Sequence, residues 1–158
     1  MEEGLITPET TFENPTSSIQ IHGKTIKDAE NNARGTIRPV DILMKSSNVG
    51  MVKIADRFTN AKFEEYLRKY GFYDKTGVDF ANEPKSRQVP HEKWDGLKRY
   101  TMAFGQGIAV TPLQMAVGFS AVINGGNLVE TSFVKRIINE NGNPVYEHQA
   151  YIKGRILS

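Results

Sequence analysis

The stretch Phe104-Gly105-Gln106-Gly107-Ile108-Ala109-Val110-Thr111-Pro112-Leu113-Gln114 runs from a glycine loop into the start of a helix. Thr111 has a short hydroxyl side chain that can accept a free backbone N–H at a helix N-terminus. Pro112 suits the first helical position, where its missing N–H leaves nothing unpaired. Gln114, three residues after Thr111, can complete a capping box. The spacing predicts a helix to about Asn124, stopped by Gly125-Gly126. Leu113, Met115, Ala116, Val117, Phe119, Ala121, Val122 and Ile123 give it apolar side chains on nearly every side, the pattern of a buried central helix. Gly105-x-Gly107 lacks the third glycine of a dinucleotide loop and no P-loop follows, so no nucleotide site is expected.

Upstream, three more helices are predicted. Thr36 can cap one that ends at Met44, with Pro39 in its first turn. A second runs from Ser47 or Asn48 to Phe58 and buries Val49, Val52, Ile54 and Ala55. Asn60 caps a third, with Phe63, Tyr66, Leu67 and Tyr70 at helical spacing and Gly71 at its end. Residues 1–35 are polar and turn-rich, with one short strand or hairpin expected near Ser18–Ile26. Residues 72–99 read as irregular, packed on Val78, Phe80, Val89 and Trp94. Downstream the period changes to that of a β-hairpin: a strand from Ser132 to Asn139, a turn over Glu140-Asn141-Gly142-Asn143, and a return strand from Pro144 to Glu147. The expected class is α+β, mostly helical, with a small antiparallel β piece.

The 158 residues, 39% hydrophobic and 24% charged, suit one globular domain or a large subdomain. A net charge of +2, evenly spread, gives no basis for nucleic-acid binding. The absence of cysteine excludes a disulfide framework, a zinc ribbon and a thiol nucleophile. The longest uncharged run, Tyr100 to Val129, is interrupted by Gln106, Thr111, Pro112, Gln114, Ser120 and Asn124 and makes a poor membrane span. Met1-Glu2-Glu3 has the wrong charge for a signal peptide, so an export signal or anchor is expected outside this chain.

Few residues are candidates for chemistry. His22, His91 and His148 lack metal-ligand spacing and read as surface or packing residues. Lys45-Ser46-Ser47-Asn48-Val49-Gly50 falls between two predicted helices, where serine and asparagine serve as caps. The same residues contain a Ser-x-Asn element, Ser46 and Asn48. Its hydroxyl can pass a proton and its carboxamide can both donate to and accept from a peptide. Ser-x-Asn is one of three motifs in the penicillin-interacting serine enzymes, beside Ser-x-x-Lys and Lys-Thr-Gly. Ser132-Phe133-Val134-Lys135 and Lys75-Thr76-Gly77 match the other two by letter, but in the wrong order. Their contexts are wrong as well. A nucleophile needs the first turn of a buried helix, where the lysine one turn on faces the serine. Ser132 opens a predicted strand, and Lys75-Thr76-Gly77 sits in a loop. Both are read as chance matches.

In context the chain closely resembles the transpeptidase domain of penicillin-binding proteins, most like the monofunctional class B enzymes. Four blocks carry the resemblance. Glu3-Gly4-Leu5-Ile6-Thr7-Pro8 looks like the stretch after the nucleophile helix, and Lys45–Gly50 with Lys53-Ile54-Ala55 like the Ser-x-Asn block. Tyr70-Gly71-Phe72 followed by Thr76-Gly77-Val78-Asp79 is similar to a family signature that normally continues Leu-Pro-Gly-Glu, where this chain has Phe80-Ala81-Asn82-Glu83. Phe104–Gln114, closed by Asn124-Gly125-Gly126, is the most specific block.

The resemblance implies a partial β-lactamase/transpeptidase-like fold, with 1–158 as the central part of the domain. Residues 1–35 would be a lead-in, 36–126 a helical subdomain, and 127–158 the start of a sheet subdomain. The nucleophilic Ser-x-x-Lys is expected before residue 1 and the Lys-Thr-Gly strand beyond Ser158, so this chain alone is expected to be inactive. The implied parent is a serine-type peptidoglycan D,D-transpeptidase of the cell envelope, facing the periplasm. Its partners would be peptidoglycan stem peptides, β-lactam antibiotics and other cell-wall synthesis proteins, with no cofactor and no metal. Ser46 would relay protons, and Asn48 would bind the substrate amide and orient the motif lysine. Two other readings stay open: a serine β-lactamase or β-lactam-sensing receptor of the same superfamily, and a non-catalytic helical interaction module in which Ser46 and Asn48 are only caps.

Overall fold

The structure, a computed structural model, describes residues 1–14, 16–30 and 35–158. The expected lead-in 1–35 therefore includes Pro15 and residues 31–34, which lie outside the described residues. The chain forms two compact units: Met1–Glu64 with Val89–Ile108, and Glu65–Gln88 with Ala109–Ser158.

In the first unit, β1 (Phe12–Asn14) pairs antiparallel with β4 (Gly35–Ile37), opposing Phe12 to Ile37. β2 (Ser18–Ile21) and β3 (Lys24–Lys27) form the expected hairpin, with Ile19 opposite Ile26. Its two turn residues, His22 and Gly23, both have positive φ (44° and 75°), as a tight two-residue hairpin requires. α1 spans Pro39–Met44 and α2 spans Asn48–Ala55, shorter than the predicted end at Phe58. Thr36 does not cap α1. It lies in β4 and its hydroxyl donates to Glu13 at 2.9 Å. The start of α1 is closed by Asp41, whose carboxylate accepts the Arg38 N–H at 2.9 Å, and Pro39 is its first residue, as predicted. α3 (Asn60–Lys69), of which only residues 60–64 belong to this unit, begins at Asn60, but its cap is Thr59, whose hydroxyl accepts the Lys62 N–H at 3.1 Å. A single 3₁₀ turn at His91–Lys93 precedes α4 (Lys98–Ala103), which begins inside the stretch read as irregular.

α2 is packed on both sides. One core cluster is Ile6, Phe12, Ile37 and Ile42, with Met51 and Ile54 against it. The other is Ile26, Val52, Ala55 and Tyr100, with Ile19, Ile21, Phe63, Ala103 and Phe104 against it. Ile42, Val49 and Val52 are fully buried, each stabilising the unit by about 1.5–3 kcal/mol.

In the second unit, α5 is Pro112–Ile123, capped by Thr111 as the sequence predicts. Thr111 Oγ1 accepts the Gln114 N–H at 3.1 Å, and Gln114 Oε1 accepts the Thr111 N–H at 2.8 Å. The helix is not buried all round. Gln114, Gly118 and Ala121 form its covered stripe, at helical spacing, while Phe119 and Ile123 are 65% and 83% exposed. Small residues in that stripe allow close approach: a Cβ on Gly118 would lie 3.0 Å from the Phe72 ring. β5 (Asn127–Val129) pairs antiparallel with β8 (Ile152–Arg155), a pair the sequence did not signal. The expected hairpin is present as β6 (Arg136–Ile138) and β7 (Pro144–Glu147), with the first strand starting four residues later than predicted, after an irregular stretch over residues 132–135 with a bend at Phe133. Within residues 72–88 the buried side chains are Tyr73, Thr76 and Val78, and Phe80 is exposed rather than packed inside. In the first unit Val89 is likewise exposed, whereas Trp94 is half-buried.

Candidate active site

Ser46 and Asn48 sit where α1 ends and α2 begins. The Ser46 N–H donates to Leu43 O at 3.1 Å and the Ser47 N–H to Ile42 O at 2.9 Å. This crossed pair is a Schellman motif, which places Ser46 in the left-handed position usually given to glycine. Ser46 has φ +50°, and a side chain there costs about 1–2 kcal/mol. The turn thus holds the Ser46 hydroxyl out of the helix, at an exposed position.

Ser47 turns the other way and is fully buried. Its hydroxyl oxygen accepts the Gly50 N–H at 2.9 Å and caps α2. The same hydroxyl donates to the Asp28 carboxylate, 3.1 and 3.2 Å from its two oxygens. Asp28 Oδ1 also accepts the Val49 N–H at 2.9 Å. Asn48 is half-buried, and its Nδ2 donates to Lys27 O at 2.9 Å. A carboxamide has two N–H groups and an acceptor oxygen, so this bond fixes its plane and leaves one donor and one acceptor for a ligand. Ser46, Ser47 and Asn48 line a groove of about 230 Å³ with Ile42, Leu43, Met51, Ala103 and Phe104. Its walls are apolar apart from these three residues, a lining suited to orienting a small ligand through few polar contacts.

The letter matches elsewhere have structural roles. Ser132 lies in an irregular segment, not in a helix, and its hydroxyl donates to Asp79 at 2.5 Å. Asp79 also accepts the N–H groups of Phe133 at 2.7 Å and Val134 at 3.0 Å. The Ser132 hydroxyl is thus the donor that, foremost, holds Asp79 below the ordinary aspartate range. Thr76 and Gly77, of the loop match, donate their N–H groups to Glu83 at 2.6 and 3.0 Å.

No histidine is among the described residues that line the groove. His91 Nδ1 lies 2.6 Å from Glu64, which also accepts the His91 N–H at 2.8 Å. Glu92 brings a third possible metal ligand within 4.8 Å, but Glu64, 4% exposed, is already satisfied by His91, so the group reads as a lock on the 89–94 segment. Sequence reasoning found Ser46 and Asn48 by motif. It did not find Asp28 or Lys27, because no spacing rule ties the end of β3 to a turn about twenty residues later.

The family model for the penicillin binding protein transpeptidase domain matches residues 1–157. The chain belongs to this family. It is 32% identical over 149 residues to penicillin-binding protein PbpB of Mycolicibacterium smegmatis, covering 94% of this chain and 23% of that protein. It is 29% identical over 107 residues to the peptidoglycan D,D-transpeptidase FtsI of Escherichia coli, covering 68% of this chain and 18% of that one. Penicillin binding protein 3 of Mycobacterium tuberculosis, solved in complex with aztreonam, superposes with a TM-score of 0.87 at 30% identity, over 99% of this chain and 35% of that one. The chain therefore spans about a quarter or less of these curated relatives. Among the described residues, no helix is long and apolar enough to cross a membrane.

Proposed function

We propose that this chain is the central part of a class B-like transpeptidase domain that cross-links peptidoglycan stem peptides through a serine acyl-enzyme. Within it, residues 1–35 act as a lead-in, 36–126 as helical subdomain, and 127–158 as the start of the sheet subdomain. Ser46 relays a proton between the attacking group and the leaving or entering amine. Asn48 offers its remaining N–H to a substrate carbonyl and its oxygen to the motif lysine. The domain works on the periplasmic side of the cell envelope among other cell-wall synthesis proteins. β-Lactams are the expected inhibitors, because they mimic the D-Ala-D-Ala end of the stem peptide.

The observation that carries this reading is the turn at 45–48. A serine is kept in a left-handed conformation that glycine would fill at lower cost, beside an asparagine whose amide is half-committed, on the rim of one apolar groove. Strain retained at a polar residue in a groove points to function. The test is acylation by a fluorescent penicillin in the transpeptidase domain that carries this chain. Asn48→Ala is expected to slow it by roughly 10²-fold, the scale of losing one positioned polar contact. Unchanged acylation in a folded variant would reduce Asn48 to a helix residue with no part in the reaction. Residues 1–158 alone are expected to take no covalent label, and label on Ser132 would overturn the assignment.

A further inference from the structure

We infer that Asp28 is a positioning residue for the Ser46/Asn48 element: it holds the turn between α1 and α2 in register against the end of β3. The inference rests on the proposed role of Ser46 and Asn48 and adds the group that aims them.

The hydroxyl of the residue between them, Ser47, is engaged within the protein. That hydroxyl is shared between the Gly50 N–H and the Asp28 carboxylate. Asp28 also takes the Val49 N–H, so one carboxylate grips the chain on both sides of Asn48. Asn48 is tied one residue earlier in the same strand end, through Lys27 O. Asp28 is itself fixed, since its N–H donates to Ser17 O at 2.9 Å. The β2–β3 hairpin and its exit thus carry a two-residue clamp, Lys27 O and Asp28, for a three-residue turn. Rotation of that turn would displace the Ser46 hydroxyl and the Asn48 carboxamide together. Here the side-chain oxygens of residue 28 accept from the Ser47 hydroxyl and the Val49 N–H at once, so the cap is held from outside its own helix. Displacements of about 1 Å in such a site can cost as much as 10²-fold in rate.

The experiment measures acylation by a fluorescent penicillin in the intact transpeptidase domain for Asp28→Ala, Asp28→Asn, Asn48→Ala and Val52→Ala, with a thermal midpoint for each. Asparagine at 28 keeps an oxygen that can accept from both Ser47 and Val49. Asp28→Ala is expected to slow acylation roughly tenfold or more, with Asp28→Asn restoring most of it. Val52→Ala removes fully buried methyl groups from the same helix and serves as the stability control. It is expected to lower the midpoint at least as far while acylation stays near normal. If Asn48→Ala is slow but Asp28→Ala is no slower than Val52→Ala, the clamp is wrong and the proposed function stands. An Asp28→Asn variant as slow as Asp28→Ala would also overturn the clamp, because charge rather than hydrogen-bond geometry would then matter. Normal acylation in Asn48→Ala would remove the role of Ser46 and Asn48, and the clamp with it.

Discussion

Gly50 lies directly against Ile42: a Cβ added at residue 50 would come 2.5 Å from Ile42 Cγ1, 2.8 Å from Cγ2 and 2.9 Å from Cδ1. Ile42 is fully buried, and the atoms in the way include both branches at its Cβ, so a turn of the chain end alone would not relieve the contact. α1 and α2 therefore meet through a glycine, and this contact sets the spacing of the turn that carries Ser46 and Asn48. Alanine is the better helix former by about 1 kcal/mol. Overpacking a closed core costs about 1–3 kcal/mol, so the clash is the larger effect. Gly50→Ala should lower the thermal midpoint. A midpoint that rises would mean that Ile42 has room to shift.

The left-handed Ser46 gives a prediction in which stability and activity move in opposite directions. Ser46→Gly relieves about 1–2 kcal/mol of backbone strain. Glycine gives back about 0.4–1 kcal/mol through the greater freedom of the unfolded chain. The net expectation by these two figures is a gain of up to about 1.6 kcal/mol, read by denaturant unfolding. The hydroxyl is lost, and acylation of the domain should fall by roughly 10²-fold. Ser46→Ala should lose as much acylation with no gain in stability. If Ser46→Gly keeps normal acylation, the strain has no functional purpose.

The contrast between α5 and the Ser46 turn shows what sequence can and cannot reveal here. The α5 N-terminus was legible to the residue, because Thr111, Pro112 and Gln114 act on neighbours three residues away. The covered face of that helix was not. Apolar residues all round suggested full burial, but the stripe that packs is Gln114, Gly118 and Ala121, chosen by close approach rather than by hydrophobicity. The same limit hid β5 and β8, short strands whose pairing spans the 6–7 hairpin between them. Ser46 and Asn48 were legible through their motif. Asp28 was not, since its bonds to Ser47 and Val49 depend on a hairpin returning to the turn in three dimensions.

Gln114 is a buried polar hub, 1% exposed, with all its hydrogen-bonding capacity engaged. Its Oε1 accepts from the Ser86 hydroxyl at 2.5 Å and from the Thr111 N–H at 2.8 Å. Its Nε2 donates to Asp74 O at 2.6 Å and Gly71 O at 3.3 Å. One side chain thus ties the start of α5 to the turn after α3 and to the 86 loop. Gln114→Leu keeps the volume but orphans these partners, and each buried orphan costs about 1–3 kcal/mol. A loss of about 3 kcal/mol or more is expected by denaturant unfolding. A loss under about 1 kcal/mol would indicate that water replaces the amide.

Acid should loosen the second unit through two carboxylates. Asp79 is held below its ordinary 3.8 by the Ser132 hydroxyl first and then by the Phe133 N–H, with a smaller push upward from burial. For Glu83 burial is the largest single influence and pushes upward. It is outweighed by the Thr76 hydroxyl, the Thr76 and Gly77 N–H groups and the charge of Lys75, so the group also falls below its ordinary 4.5. A carboxylate with a folded value below its unfolded one stabilises the native state fully above the unfolded value. That contribution fades as pH falls through 4.5 and 3.8 toward the lower folded values. The urea midpoint should therefore drop between about pH 5 and pH 3. Asp79→Asn with Glu83→Gln should begin with a lower midpoint at neutral pH and show a flatter acid limb, because neither side chain can then gain a proton. If the double variant loses as much midpoint over that window as the parent chain, the acid sensitivity lies in other carboxylates and these two loops are not its source.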